Sequence, residues 1–415
     1  MTAFVAKRIR FQNGERHSVL SAPYGLPVHE VTLYLNRYRK KGRAANTIHS
    51  VCSAVGLLYR ELSSKKIDLL QRLREGRFLT APEVSSLTEA AQCWVEDSRD
   101  EPESDSNVID IKRIRMRRKA SAKEARAVDV ATRATRLRYI ADYLEFIAGY
   151  FSATLPTALR STLKLESEAE LKALRAEIPQ VSRRAKLGAR EGLSEEDQAR
   201  LLTVIHPDAP ENPWRRPFVR KRNWLIVVLL LATGMRQGEL RGLQIRDLSP
   251  REPKLRIVRR ADAQEDSRLI QPNAKTNDRE LELTPAIMKK VWTYINEHRH
   301  RIKAARKHPH LIVADDGAPI SSKTIDKLFV QLRNACPGLP GSLTSHVLRH
   351  TWNERFSEQA DLMDRSEAKE ERARNEQQGW TADSTTAATY TRRHAARKGR
   401  EISLKLQEKL DVGDQ

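Results

Sequence analysis

Cysteine is scarce in this chain. Cys52, Cys93 and Cys336 are the only three in 415 residues, and they lie far apart with no Cys-x-x-Cys pair. That excludes a disulfide framework and a zinc ribbon. Long apolar runs are also missing: the longest, "WLIVVLLLA" from Trp224 to Ala232, is half a membrane span and reads as a buried core helix. The opening "MTAFVAKRIRFQNGERH" turns polar too soon for a secretory signal. No repeat of 20 to 50 residues is evident, and no carboxylate cluster of the kind that holds magnesium stands out. These absences point to a soluble, cytoplasmic chain with no membrane partner. Positive charge is what the sequence has in excess. Lys and Arg number 75 against 54 Asp and Glu, for a net charge of +21 and a pI near 10.0. The surplus runs along periodic segments rather than in a tail, so a polyanion, nucleic acid first, is the expected partner.

The length suits two or three domains. Residues 4 to 20 alternate loosely around Asn13-Gly14, and residues 1–25 are expected to form an N-terminal arm or hairpin. "VTLYLNRYRKKG", "NTIHSVCSAVGLLYREL" and "TRLRYIADYLEFIAGYF" place apolar residues at three- and four-residue steps, as amphipathic helices do. They assign residues 26–181 to a helical domain, interrupted near 96–126 by an acidic and then basic charged insertion. A basic, apolar-poor linker follows at 182–192, with Arg183, Arg184 and Lys186. Ser194 and Asp197 form a capping box that opens the second domain, 193–415. Helices are expected there at 194 to 205, 222 to 233 and 236 to 243, then extended segments in "KLRIVRR", "SRLIQP" and "RELELT", then helices from Pro285 onward. The fold class is therefore mainly α: a helical N-terminal domain followed by a mixed α+β domain with a small antiparallel sheet.

Four segments carry chemistry. In "LLLATGMRQGELRGL", Arg236 and Glu239 stand three apart at a helix start, close enough to pair. Such a pair is commonly a surface salt bridge. Behind a fully apolar helix, however, the arginine sits near the core, and a fork held by a carboxylate suits phosphate oxygens. In "NAKTNDRELEL", Lys275 sits at the edge of a turn leading into an alternating strand, where a solvated hairpin lysine is the plainer reading. In "SLTSHVLRHTW", His346, Arg349 and His350 share one helix face while Val347 and Leu348 point to the core. A zinc motif would need a glutamate between the histidines, and an arginine on the metal face argues against it. In "QQGWTADSTTAATYTRRHA", Tyr390 lies ten positions after Trp380 among small polar residues, without apolar neighbours at helical spacing.

In this order the segments resemble the tyrosine recombinases, or phage integrase family, whose signature is an Arg, a hairpin Lys, a His-x-x-Arg-His box, a Gly-His or Gly-Trp, and a C-terminal nucleophilic Tyr. The match runs over residues 193 to 395, with "TGMRQGEL" and "HVLRHTW" its most specific parts. The spacing from Trp380 to Tyr390 is one residue longer than the family usually has. The resemblance implies that residues 26–181 are a DNA core-binding domain and 193–415 the catalytic domain. It makes Arg236, Lys275, His346, Arg349, Trp380 and Tyr390 the catalytic set, with Glu239 and His350 supporting them. Tyr390 would attack a backbone phosphate to form a 3′-phosphotyrosine, Arg236 and Arg349 would clamp the phosphoryl oxygens, His346 would serve as base and Lys275 as acid. Neither metal nor nucleotide cofactor is implied. Arg183, Arg184 and Lys186 would help grip double-stranded DNA. A homotetramer on two DNA sites is implied, monomeric or dimeric off DNA, in the nucleoid of a bacterial cytoplasm, with room for accessory DNA-bending or directionality proteins. Integration, excision or transposition of a mobile element is the expected outcome. A non-cutting DNA-binding regulator on the same scaffold and a type IB topoisomerase are the alternatives.

Overall fold

The computed structural model describes residues 4–93, 127–180, 191–272, 274, 276–381, 384 and 392–408. The charged segment at 96–126 and the linker residues Arg183, Arg184 and Lys186 lie outside the described residues. The chain divides into two compact units, Met1–Lys186 and Leu187–Gln415.

The first unit begins with a hairpin of β1 (Val5–Arg10) and β2 (Arg16–Ser21), antiparallel from Val5 opposite Ser21 to Arg10 opposite Arg16. Gly14 adopts φ +91° in its turn, a conformation open to glycine at little cost. Ala6 and Leu20 point inward, so the hairpin shares one core with the helices. Those are α1 (His29–Lys40), α2 (Ala45–Ser64), α3 (Leu69–Arg74), α4 (Ala81–Ala90), α5 (Val130–Ser152) and α6 (Thr157–Ala176). Helices α2 and α5 are the centre: Val55, Leu58, Leu137, Ile140 and Leu144 are all fully buried. A polar link inside that core, Tyr59 to Tyr143 at 2.7 Å between hydroxyls, satisfies both phenols. Helices α3, α4 and α6 are absent from the sequence expectation. In α6 the apolar stripe is only Leu163, Leu171 and Leu174, diluted by charged residues on the other faces.

The second unit opens with α7 (Glu195–Val204), whose N-cap Ser194 hydroxyl accepts from the Asp197 N–H at 3.1 Å. The apolar run lies in α8 (Pro217–Thr233), which starts five residues earlier than expected because Pro217 and Arg222 extend it. Pro217 suits a first turn, where its missing N–H is not needed. Arg222 is 4 % exposed and bonds Asp315 Oδ1 at 2.8 Å. Then come α9 (Gln237–Gly242), β3 (Lys254–Ile257), β4 (Arg279–Glu282), α10 (Pro285–Thr293) with a π-turn at Tyr294–Arg299, α11 (Ser322–Ala335), α12 (Ser345–Leu362), α13 (Glu367–Gln378) and α14 (Arg392–Glu408). Strands β3 and β4 pair antiparallel with Leu255 opposite Leu281.

One expected strand does not form. "SRLIQP" is an irregular segment in which Leu269 and Ile270 are exposed while the Arg268 side chain folds back onto Asp266, at 2.8 Å from Nη2 to Oδ2. A buried ion pair outweighs the weak apolar alternation there. Among the described residues no helix is long and apolar enough to cross a membrane.

Candidate active site

The site is organised by the end of α8. An α-helix leaves its last carbonyls without intrahelical partners, and here three successive ones are taken by side chains from distant segments. Ala232 O accepts from Trp352 Nε1 at 3.2 Å, Thr233 O from Gln378 Nε2 at 3.3 Å, and Gly234 O from Arg349 Nη1 at 2.6 Å. A guanidinium at the negative end of a helix is also favoured by the helix dipole. Gly234 makes the turn possible: its φ is +61°, and an added Cβ would lie 2.7 Å from the Trp352 ring.

Two residues on, Arg236 is the N-cap of α9. Its N–H donates to Glu239 Oε2 at 2.9 Å, and its Nη1 stands 3.6 Å from Glu239 Oε1. That Nη1 is buried and makes no hydrogen bond among the described residues. Glu239 itself is fully buried and takes its strongest support elsewhere, from Arg279 Nη2 at 2.8 Å and the Thr276 hydroxyl at 2.7 Å. Burial alone would raise this carboxyl's pKa. The Arg279 charge and the bonds from Arg279, Thr276 and the Arg236 N–H outweigh it and hold the group below the usual carboxylate range.

The His-Arg-His box occupies the first turns of α12, capped by Thr344, whose hydroxyl accepts from the Val347 N–H at 3.3 Å. Val347 and Leu348 enter the core as expected. The polar face divides: His346 is exposed, whereas His350 is 4 % and Arg349 only 1 % exposed. The two imidazoles meet edge to face, 4.8 Å between centroids. Arg349 lies with its guanidinium carbon 5.2 Å from the centre of the Trp380 ring, so the tryptophan face covers the cation. Trp380 follows Gly379, the left-handed residue (φ +63°) that ends α13, and its N–H donates to Asn375 O at 2.8 Å.

Residues 217–397 match the family model described as the phage integrase family. Residues 217–397 are a phage integrase family domain. No curated protein matches the chain. Among solved structures, it is similar to the Tn1549 transposon integrase in complex with circular intermediate DNA, at 15% identity over 87% of this chain and 94% of that one, with a TM-score of 0.45. It is also similar to the XerH site-specific recombinase bound to palindromic difH substrate (17% identity, 66% and 72% covered, TM-score 0.42) and to XerA recombinase (14%, 87% and 92%, TM-score 0.36).

Within this integrase domain the structure brings Arg236, Glu239, Arg349, His350 and Trp380 to the end of α8, with His346 at the exposed edge. Lys275 and Tyr390 lie outside the described residues. Sequence reasoning missed several members. Arg279 sits on the buried side of β4, with its side chain 3% exposed. Gln378 and Trp352 fill carbonyls of α8, and Thr276 joins the Glu239 carboxylate. Only the alternation of "RELEL", which puts Arg279 in phase with Leu281, could have shown an inward arginine.

The long connection between β3 and β4 is fastened by further buried pairs. Arg260 forks onto Asp247, with one bond of 2.9 Å, and Arg268 Nη1 reaches Arg241 O at 3.1 Å. His310 sits beside Arg268, 3.4 Å from Nδ1 to Nη2; burial, reinforced by the Arg268 charge, pushes its imidazole down to about 4, so the ring is neutral at neutral pH. At the C-terminal end, α14 is tied to α12 through Asp361, which accepts from His394 Nε2 at 2.7 Å and pairs with Lys398 Nζ at 2.6 Å. Its Ile402, Leu404 and Leu406 are 61%, 57% and 59% exposed.

Proposed function

We propose that the protein is a site-specific DNA recombinase that cuts and rejoins strands through a 3′-phosphotyrosine intermediate. One observation carries the reading. Arg236 Nη1 is a buried guanidinium donor with no hydrogen bond among the described residues, in a phage integrase domain, on a chain of net charge +21. A buried donor without an acceptor is costly, and a phosphate oxygen is the acceptor that a guanidinium fork fits best.

In this reading Tyr390 attacks the scissile phosphate. Its phenolic proton passes to His346, a bond forms between the phenolic oxygen and phosphorus, the bond to the 5′-oxygen breaks, and Lys275 protonates that oxygen. A tyrosine starts near pKa 10, so a base that takes the proton during attack is needed at neutral pH. Arg236 and Arg349 carry the charge that builds on the non-bridging oxygens. Glu239 keeps Arg236 at its turn, while Trp380 and His350 keep Arg349 and His346 in place. Reversal with another 5′-hydroxyl rejoins the strands, so the bond energy is conserved in the protein-linked phosphate.

The first unit, with the linker residues Arg183, Arg184 and Lys186, is proposed to grip the core site, and four protomers to assemble on two sites during integration, excision or transposition of a mobile element. The apolar residues of α14 are proposed to dock on a neighbouring protomer. The deciding test traps the covalent intermediate. Wild type and Tyr390→Phe are incubated with a nicked suicide duplex carrying the element's own terminal sequence, and adduct is read on a denaturing gel. Adduct from wild type alone supports the reading; intact binding without adduct from either protein overturns it.

A further inference from the structure

A dense run of positive charge lies away from the active site. From His298 to Lys307 the sequence "HRHRIKAARK" holds five Lys and Arg and no acid. Its backbone is the π-turn that continues α10, followed by a short 3₁₀ turn at Ala304–Lys307. One of the five, Arg299, serves the fold: it is 4 % exposed, and it donates from Nε to His310 O at 2.9 Å and from Nη2 to Ala305 O and His308 O, both at 2.7 Å. Tyr294 stacks on Phe218 of α8, 6.1 Å between centroids, and a Cβ on Gly317 would lie 2.8 Å from the Ala305 nitrogen. The turn is therefore closed from inside. The other four, Arg301, Lys303, Arg306 and Lys307, are exposed on a fixed backbone.

Neighbouring elements add to this face. Lys289 and Lys290 of α10 are exposed, and Lys290 Nζ stands 4.5 Å from the centre of the Trp224 ring of α8. Burial pushes the His298 imidazole below its ordinary value, and the charges of Lys221 and Arg301 act in the same direction against Glu297, so both cations stand near that ring. Among the described residues Lys221, Lys289, Lys290, Arg301, Lys303 and Lys307 form no ion pair. Elsewhere in this unit Arg222, Arg260, Arg268 and Arg374 each have a carboxylate. Like charges without a counter-charge repel one another and build a positive field that an outside anion relieves.

The length of α8 separates this face from the site. Lys221 precedes Gly234 by thirteen residues, about 20 Å along a helix that rises about 1.5 Å per residue. That is more than twice the Debye length of about 8 Å at physiological salt, so phosphates held at Arg236 and Arg349 do not neutralise it. Among the described residues no large apolar side chain from 285 to 310 is exposed. A protein interface is anchored on such side chains at its centre, whereas Lys and Arg without them suit a phosphate backbone.

We propose that this face, formed by the start of α8, the end of α10 and the turn from Arg301 to Lys307, binds a second segment of double-stranded DNA through its phosphates, apart from the duplex at the active site. Backbone contacts carry no sequence information, so capture is independent of sequence. A duplex held there raises the local concentration of DNA beside the one being cut.

The test saturates full-length protein with an unlabelled duplex carrying the element's terminal sequence, then titrates it at low salt with a short fluorescent random-sequence duplex, read by anisotropy. Wild type is expected to capture the second duplex. Arg301→Glu/Lys303→Glu/Lys307→Glu should bind it about a hundredfold more weakly and Arg301→Gln/Lys303→Gln/Lys307→Gln about tenfold. Each lost phosphate contact lowers the slope of log affinity against log salt by about 0.9, so the glutamine variant should fall about 2–3 below wild type. A control with the same charge reversal around the start of α13, Arg365→Glu/Lys369→Glu/Arg372→Glu, should stay within about twofold. Circular dichroism follows folding, and the glutamine set decides the question if the glutamate set is unfolded. Adduct formation on the suicide duplex should stay within about threefold of wild type in the face variants, because the face lies about 20 Å from the site.

Unchanged capture by both face variants would overturn the inference. Equal loss in the α13 control would also overturn it, by tracing capture to net charge. Failure of wild type to capture the second duplex would overturn it in favour of a face for an acidic protein or for solvent. Absence of adduct from wild type, with capture present and lost in the face variants, is a different result: the recombinase reading fails there and the second duplex face stands.

Discussion

Glu239→Gln is the sharpest test of the buried network, because the structure specifies what glutamine can and cannot replace. Glu239 Oε2 faces two donors, Arg279 Nη2 and the Arg236 N–H, while Oε1 faces the Thr276 hydroxyl. Glutamine can keep its carbonyl toward the two donors and turn its amide toward Thr276, whose oxygen can accept. The hydrogen bonds survive in that arrangement and only the negative charge is lost. Breaking a buried pair by removing one partner outright costs about 3–5 kcal/mol. Glu239→Ala should therefore fall in that range and Glu239→Gln below it, near 2–3 kcal/mol. In a unit of this size each kcal/mol shifts Tm by about 2–4 °C, so roughly 5–10 °C is expected for glutamine and more for alanine. Five of the six tryptophans (214, 224, 292, 352 and 380) lie in the second unit, so intrinsic fluorescence during thermal or urea unfolding reports on it selectively. The pH dependence supplies the control. The folded pKa of Glu239 is depressed, so its contribution is present above the unfolded value near 4.3 and is lost as pH falls through the folded value. The gap between wild type and Glu239→Gln should be full at pH 7 and shrink below about pH 4. No destabilisation at pH 7, or a gap that persists undiminished at pH 3, would refute the charge-pair account.

Gly234→Ala combines a left-handed conformation with a Cβ 2.7 Å from a Trp352 ring whose Nε1 is bonded to Ala232 O. A loss of about 2–4 kcal/mol is expected, from the backbone penalty and overpacking together, measured by urea unfolding. Arg349→Lys keeps the charge but not the fork that reaches Gly234 O under the Trp380 ring; adduct formation should drop on the order of a hundred- to a thousandfold with stability changing far less. His310 is held neutral with a pKa near 4. Its folded pKa lies below the unfolded 6.5, so stability is lost as pH falls from about 6.5 toward 4. His310→Gln should flatten that limb of a stability-against-pH curve. Asp361→Asn removes the charge that ties His394 and Lys398 of α14 to α12, and limited proteolysis should then release the tail beyond Gly399 faster than in wild type.

The linear sequence determined the elements whose information is local. Periodicity of three and four residues specified α1, α2 and α5, the uninterrupted apolar run specified α8, and the Ser194 cap marked a helix start, because capping is settled within three residues. The grouping of His346, Arg349 and His350 on one helix face follows from spacing alone. So does the placing of Val347 and Leu348 in the core. Segments whose identity depends on partners were not legible. "SRLIQP" has strand-like composition, but Arg268 finds Asp266, Arg241 O and His310, and the strand is lost. The α6 helix hides its few leucines among charges. Above all, the divided face of the His-Arg-His helix, with His346 in solvent and Arg349 sealed under Trp380, arises from packing against the end of α8.

Composition, charge and motif order thus raised the expectation of a nucleic-acid partner and named the residue types proposed for the chemistry. Only the folded chain decided which charge answers which. Glu239 looks in sequence like the partner of Arg236, three residues away. In space its carboxylate is held mainly by Arg279, forty residues on, and touches the Arg236 guanidinium only at 3.6 Å. The physical reason is burial: a carboxylate removed from water must satisfy both oxygens, and one half-buried arginine at 3.6 Å cannot do so. The strand pairing of β3 with β4 and the close pass of Gly379 bring the other donors within reach, and neither is written in any local stretch of residues.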